Sequence, residues 1–428
     1  MGELMLVSSS RIGLPPLTRP LAASGSEEPQ DRFEPTSAGL DLTGAVRALA
    51  SGRVPTVDNP SIWKHDAGSH GTEMVWTRAG LTLVGGSPFF QRLNTSGEMA
   101  ARGEEGVSYG GDPSPRLDGG VYVSRTSELQ AFSSSGELLW SKKVSPAESL
   151  STGTASGPEG NCYICDHDTL YAVSPEGEEL WKKPLESAWS RPPVVGPDGT
   201  VHMATKDGEV YAFAPDGKEK WRFSELKGGG NGFSPIKTDV AVGPDGTVSF
   251  GADKLYVLDG VTGQVRWSQS LGNKRGFEHY DTPAIDRQGN VYASGGEDRD
   301  TVMAFNREGR PLWSQQLGPT LHLTARPDGG VIMGIRGGAL MCLSDQGIHE
   351  WTFQDRNTFA KPIFGEDGLI YTSSYGRYVY GLQTPAEWSQ KLAQGPPRTP
   401  QVFDTEGRII VGGVRVPKRR PQPAQPGP

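Results

Sequence analysis

The chain has 428 residues, of which 58 are glycine and 34 proline; only 35% are hydrophobic, and the formal net charge is −8. Such usage suits a low-complexity chain or an all-β protein with many tight turns, and it argues against a large helical bundle. The acidic balance excludes a global field that would draw in nucleic acid or an anionic membrane, and no run of 18 or more apolar residues is present to span a bilayer. The 10 Trp, 12 Tyr and 14 Phe recur along the chain, which favours a folded, all-β protein.

Residues 1–58 are rich in Ser, Pro, Ala and Glu and read as a mostly disordered leader. One short helix is expected around Leu42–Ala50, started by Thr43 and stopped by Gly52. The opening MGELMLVSSSRIGLPPLTRP carries an acid at Glu3 and has neither a basic start nor an apolar core, so it does not read as a secretory signal. The expectation is a cytoplasmic protein, with leaderless export as the alternative. The segment SIWKHD, Ser61–Asp66, then reads as an isolated final strand carrying Trp63.

From there the chain repeats itself, as in VVGPDGTVHMATKDGEVYAFAPDGKEKW and PAIDRQGNVYASGGEDRDTVMAFNREGRPLW. The closing tryptophans are Trp140, Trp181, Trp221, Trp267, Trp313, Trp351 and Trp388, and a degraded earlier copy puts Met99 in that position. Each unit of about 40 residues resolves into four short strands separated by D-G, E-G or Q-G turns. A single four-stranded sheet cannot bury both faces, whereas blades stacked around an axis can. The predicted fold is therefore an all-β propeller of four-stranded antiparallel blades spanning residues 59–416. Eight blades are expected, with seven or nine also compatible with the count. The stretch TPQVFDTEGRIIVGGV supplies only the first half of a repeat, so strands from both chain ends are expected to complete one sheet and hide its edges. Residues 417–428, PKRRPQPAQPGP, read as a basic, proline-rich, disordered tail.

The recurring phrase Y-A-(F/V/L)-x-x-x-G-x-x-x-W, preceded by P-D-G-T-V, resembles the quinoprotein-type, PQQ-like propeller repeat. That family includes quinone-dependent alcohol dehydrogenases and non-enzymatic scaffolds such as the outer-membrane assembly lipoprotein. The resemblance implies the fold for residues 60–415; the repeat itself specifies no activity. The quinone enzymes stack their cofactor on a ring of adjacent cysteines and hold calcium. This chain has no Cys-Cys pair, no haem motif and no lipobox. No cofactor or metal is expected, and PQQ with calcium is disfavoured.

Cys162 and Cys165 spell C-x-x-C, but they occupy strand positions filled elsewhere by Val201 and Ala204, on opposite faces, so a buried structural role is expected. Cys342 shares a column with Ala131, Ala172, Ala212, Ala304 and Gly381, where only small side chains occur. The tryptophans read as packing between blades, and the PDG turns offer too few oxygens for calcium. KGGGNG, 227–232, precedes neither a helix nor a lysine-serine pair, so it is not a phosphate loop.

Function in a propeller gathers on the loops that enter the innermost strands, because the blades aim them at one cavity. Aligned on the repeat, these loops carry Arg191, Lys237, Asp239, Tyr280, Asp281, His322, Lys361 and Arg398. This mixture of charges suits a specific docking face; a solvated funnel would show the same variety. Glu278, His279, Asp281 and His322 are the candidates for acid–base chemistry if the mouth is catalytic. The leading reading is a monomeric, non-catalytic propeller that binds another protein, and not nucleic acid or membrane, through its axial face. The alternative is an enzyme or small-ligand binder using the same mouth.

Overall fold

The computed structural model describes residues 61–414 apart from 69–72, 86–89, 104–110, 126, 145–152, 187–190, 227–234, 272–280, 297–299, 356–358, 375–376, 383–401, 404–408 and 412. The leader, its expected helix and the basic tail all lie outside the described residues. Within them the chain forms eight four-stranded antiparallel sheets and no helix. Blades 1 to 7 each follow in chain order, over residues 73–102, 114–143, 155–184, 194–223, 241–269, 284–316 and 320–354. Blade 8 takes its three inner strands from 363–382 and its outer strand from Ser61–Asp66. The four strands of a blade are called A to D from the axis outwards.

What builds each blade is the alternation of a buried B–C hairpin with a half-exposed D strand. Blade 4 is representative: Val201–Ala204 and Val210–Phe213 are buried throughout, and Glu219–Phe223 exposes every other residue. A buried strand bounded by G-containing turns is buried on both faces only because another blade lies on each side.

The tryptophan column is the seam between blades. In six blades the indole Nε1–H of strand D donates to a carbonyl in the C–D turn of the following blade: Trp63 to Thr95, Trp140 to Pro175, Trp181 to Pro215, Trp221 to Gly260, Trp267 to Arg307 and Trp313 to Asp345, at 2.8 to 3.0 Å. The turn glycine beside that carbonyl lies flat on the ring. At Gly217, where φ is +83°, a Cβ would come within 2.8 Å of Trp181. The small-residue column on strand C has the same cause, because it pairs with the tryptophan directly. Ala172 faces Trp181, Ala212 faces Trp221, and Gly381, where a Cβ would sit 2.3 Å from an indole carbon, faces Trp63.

Two sequence expectations need correction. Blade 1 puts Ala101 in the tryptophan register, opposite Arg92, while Met99 pairs with Leu93 and is exposed. The turn glycine sets the count: Gly97 aligns with Gly217, so the tryptophan position falls four residues later, at 101. The expected closing pair is also different. Ser61–Asp66 does not join the strands at 399–414; it pairs with Tyr378–Leu382, with Trp63 opposite Gly381, and fills the column assigned to Trp388. Val402–Phe403, Ile409–Val411 and Gly413–Val414 instead form their own three-stranded sheet. Trp388 itself lies outside the described residues. The spacing explains the choice: Ala131, Ala172, Ala212, Ala304 and Cys342 each precede their tryptophan by nine residues, whereas Gly381 precedes Trp388 by seven, with no glycine to turn the chain.

The cysteines sit where the repeat predicts. All three are free and buried, and Cys162 and Cys165 belong to different clusters on opposite faces of blade 3. Cys342 accepts a hydrogen bond from Arg326, 4% exposed, which also pairs with Asp328 and Glu350. Burial raises the thiol pKa values of Cys162 and Cys342 well above the ordinary range.

Candidate functional site

The innermost strands of neighbouring blades touch around the axis, and the residue three places before the last residue of the A strand in blades 2 to 8, with its register equivalent Glu73 in blade 1, forms a ring. Strand register makes that ring Glu73, Asp112, Gly153, Pro192, Asp239, Thr282, His322 and Lys361, one from each of blades 1 to 8. The charge environment agrees with this placement. Asp112 of blade 2 is perturbed by Asp239 of blade 5, Lys361 of blade 8 and His322 of blade 7. Charges act on one another over about 10 Å, so these side chains share one opening.

Burial dominates the titration of this mouth. It lifts Glu73 from its ordinary 4.5 to about 7, with the Asp112 carboxylate adding to the rise. Burial and Asp239 likewise raise Asp112, opposed by Lys361 and His322. His322 is lowered by burial, with Asp281 and Asp112 opposing and Lys361 assisting, so its imidazole is neutral at pH 7. Its backbone is held at a φ of 53°, an unusual conformation for a residue with a Cβ, within an irregular stretch of the A–B ladder. Arg191 closes the ring between blades 4 and 5: its guanidinium pairs with Asp239 at 3.2 Å and donates to the carbonyl of Ile236 at 3.1 Å. Lys237 is anchored by its backbone N–H to the Gly251 carbonyl, and Thr238 caps the same entry.

Of the residues singled out from the sequence, Arg191, Asp239, Asp281, His322 and Lys361 are therefore brought into one charged mouth, with Lys237 on the adjoining loop. Glu278, His279, Tyr280 and Arg398 lie outside the described residues. Sequence reasoning missed Glu73 and Asp112. The signal was present, since both stand in the same column as Asp239 and His322. The degraded first repeat and the S-P pair at Ser114–Pro115 hid the alignment. Among the described residues, no three His, Cys, Asp or Glu side chains are grouped to hold a metal ion.

The opposite end of the axis is different in kind. The turns that leave the A strands of blades 8, 1, 2, 3 and 4 surround an open cavity of about 290 Å³ lined by Trp76, Leu117, Pro158, Pro197, Arg78 and Glu366 among others. Nothing in the repeat pattern pointed to it.

Eight four-stranded blades joined tryptophan to turn, with a charged ring on the axis, define a β-propeller. Residues 125–307 match the family model described as outer membrane protein assembly factor BamB and so carry the PQQ-like repeat that the motifs indicate. Among solved structures, the C-terminal WD40 domain of Sif2 is similar over 76% of this chain and 98% of its own, at 11% identity and a TM-score of 0.60. The computationally designed Ika8 protein is similar over 74% and 96%, at 15% identity and a TM-score of 0.59. BamB from Moraxella catarrhalis is 17% identical over 64% of this chain and 94% of its own, with a TM-score of 0.42. The likenesses to the Sif2 domain and to Ika8 concern the fold. No curated protein matches the chain in sequence.

Proposed function

We propose that this propeller is a non-catalytic scaffold that docks a protein partner on its charged axial mouth. The observation that carries the reading is the convergence of Glu73, Asp112, Arg191, Asp239, Asp281, His322 and Lys361 from seven of the eight blades on one opening. A rigid ring of mixed charges presents a fixed pattern to a complementary surface, which steers encounter and rejects wrong partners more than it adds affinity. The match of residues 125–307 to an assembly-factor model supports the same reading. We further propose that the mouth works without quinone or calcium, given its donor set.

The test is quantitative affinity purification of the full chain against its Lys237→Ala/Asp281→Ala/Lys361→Ala variant. Proteins that dock on the mouth are expected to be lost from the variant. Retention of the same proteins at the same amounts would overturn the axial reading.

A further inference from the structure

The residue two places after the last residue of the A strand in blades 2 to 8, with its register equivalent Arg78 in blade 1, forms a second ring at the far end of the axis. It reads Arg78, Leu117, Pro158, Pro197, Pro244, Arg287, Pro327 and Glu366 from blades 1 to 8. Five of these line the 290 Å³ cavity, and the three that do not are Pro244, Arg287 and Pro327.

The walls are apolar. Trp76 stacks on Tyr371 at 5.3 Å between ring centroids, and Leu117, Pro158, Val195 and Pro197 continue the surface. Two opposite charges belong to the lining, Arg78 on blade 1 and Glu366 on the adjacent blade 8, and both are exposed. Arg78 donates to the carbonyl of Leu117 at 3.3 Å, and among the described residues neither it nor Glu366 makes an ion pair within 4 Å. The third charged group of the lining, Arg116, is committed: its guanidinium pairs with Asp118 at 2.9 Å and donates to the Pro175 carbonyl. The cavity therefore offers one cation, one anion and an apolar hollow with the volume of about ten water molecules.

We propose that this cavity binds a free amino acid with a large apolar side chain. Its carboxylate would face Arg78, its ammonium Glu366, and its side chain the Trp76 wall. The pairing selects the ligand class. A free amino acid carries both charges on one carbon, next to its side chain; an internal peptide residue carries neither, and a chain terminus only one. A guanidinium takes a carboxylate in a planar, two-point contact that an amide cannot copy. A volume of 290 Å³ lies at the small end of ligand sites, which suits an amino acid. This inference goes beyond the docking role and does not depend on it, since the two sites occupy opposite ends of the axis.

Calorimetric titration of the full chain with L-phenylalanine, N-acetyl-L-phenylalanine and L-phenylalaninamide tests it. L-Phenylalanine is expected to bind saturably, and loss of either charge to weaken binding about tenfold, the effect of 1.4 kcal/mol. Arg78→Ala should abolish the penalty for amidation while keeping that for acetylation, and Glu366→Ala should do the reverse. Both side chains are exposed, so unchanged melting temperatures will show that the variants fold. The Lys237→Ala/Asp281→Ala/Lys361→Ala variant should bind L-phenylalanine as the parent does, which separates failure here from failure of the docking role. No saturation up to about 10 mM, equal binding of all three compounds, or indifference to both substitutions would overturn the proposal.

Discussion

Glu73 gives the sharpest test of the axial mouth, because its carboxylate is raised from 4.5 to about 7 by burial and by Asp112. A carboxylate whose pKa is higher in the folded state than in the unfolded one binds more protons when folded between those two values. Stability therefore falls as pH rises through that window and stays lower above it. A rise from 4.5 to about 7 corresponds to at most about 3 kcal/mol. Water reaching the half-exposed group reduces this to an expected 1 to 2, roughly. Glu73→Gln removes the charge and keeps the shape. Urea unfolding of parent and variant at pH 4.5, 6, 7 and 8 should show equal stability at the acid end. The variant should gain steadily with pH and lead by about 1 to 2 kcal/mol at pH 8. A constant offset across the series, or a variant that is weaker at pH 8, would refute the assignment of Glu73 to a partly buried, carboxylate-facing position.

Other substitutions probe the seams. Gly217→Ala forces a Cβ to within 2.8 Å of Trp181 from a φ of +83°; chemical denaturation should show a loss of about 1 to 3 kcal/mol. Trp63→Ala removes the indole that pairs with Gly381 and bonds to Thr95, and is expected to cost about 3 to 5 kcal/mol. Trp388→Ala should cost less than about 1 kcal/mol if Trp63 alone fills the last column; equal losses at the two sites would reject that closure. Cys162, Cys165 and Cys342 are buried, so a thiol reagent should label none of them in the native protein and all of them in denaturant. Breaking the partly exposed pair by Arg191→Ala should lower stability by no more than about 1 kcal/mol, because Asp239 keeps access to solvent.

Much of this molecule is local in origin and therefore legible along the chain. The D-G and E-G turns fix the hairpins, the nine-residue step from Ala172 to Trp181 fixes the bulged C–D pairing, and repetition fixes everything that neighbouring blades share. The small column around Cys342 and the inert placement of Cys162 and Cys165 follow from the same periodicity. Axial positions could be read wherever the repeat is regular, which is why Asp239, His322 and Lys361 were found.

What the chain order could not supply is contact between distant segments. Ser61–Asp66 and Tyr378–Leu382 are more than 300 residues apart, and which strand closes the last blade depends on competition for one sheet edge. The joining of Glu73 and Asp112 to groups on blades 5, 7 and 8 depends likewise on the ring closing. The cavity lined by Arg78 and Glu366 is more extreme, since its two charges belong to the first and last blades, which meet only across the seam. Repeats thus determined the blade, because hydrogen bonds and turns within about 40 residues suffice to define it. Closure alone decided the two ends of the axis, because a shared electrostatic environment and an open cavity are properties of the whole ring.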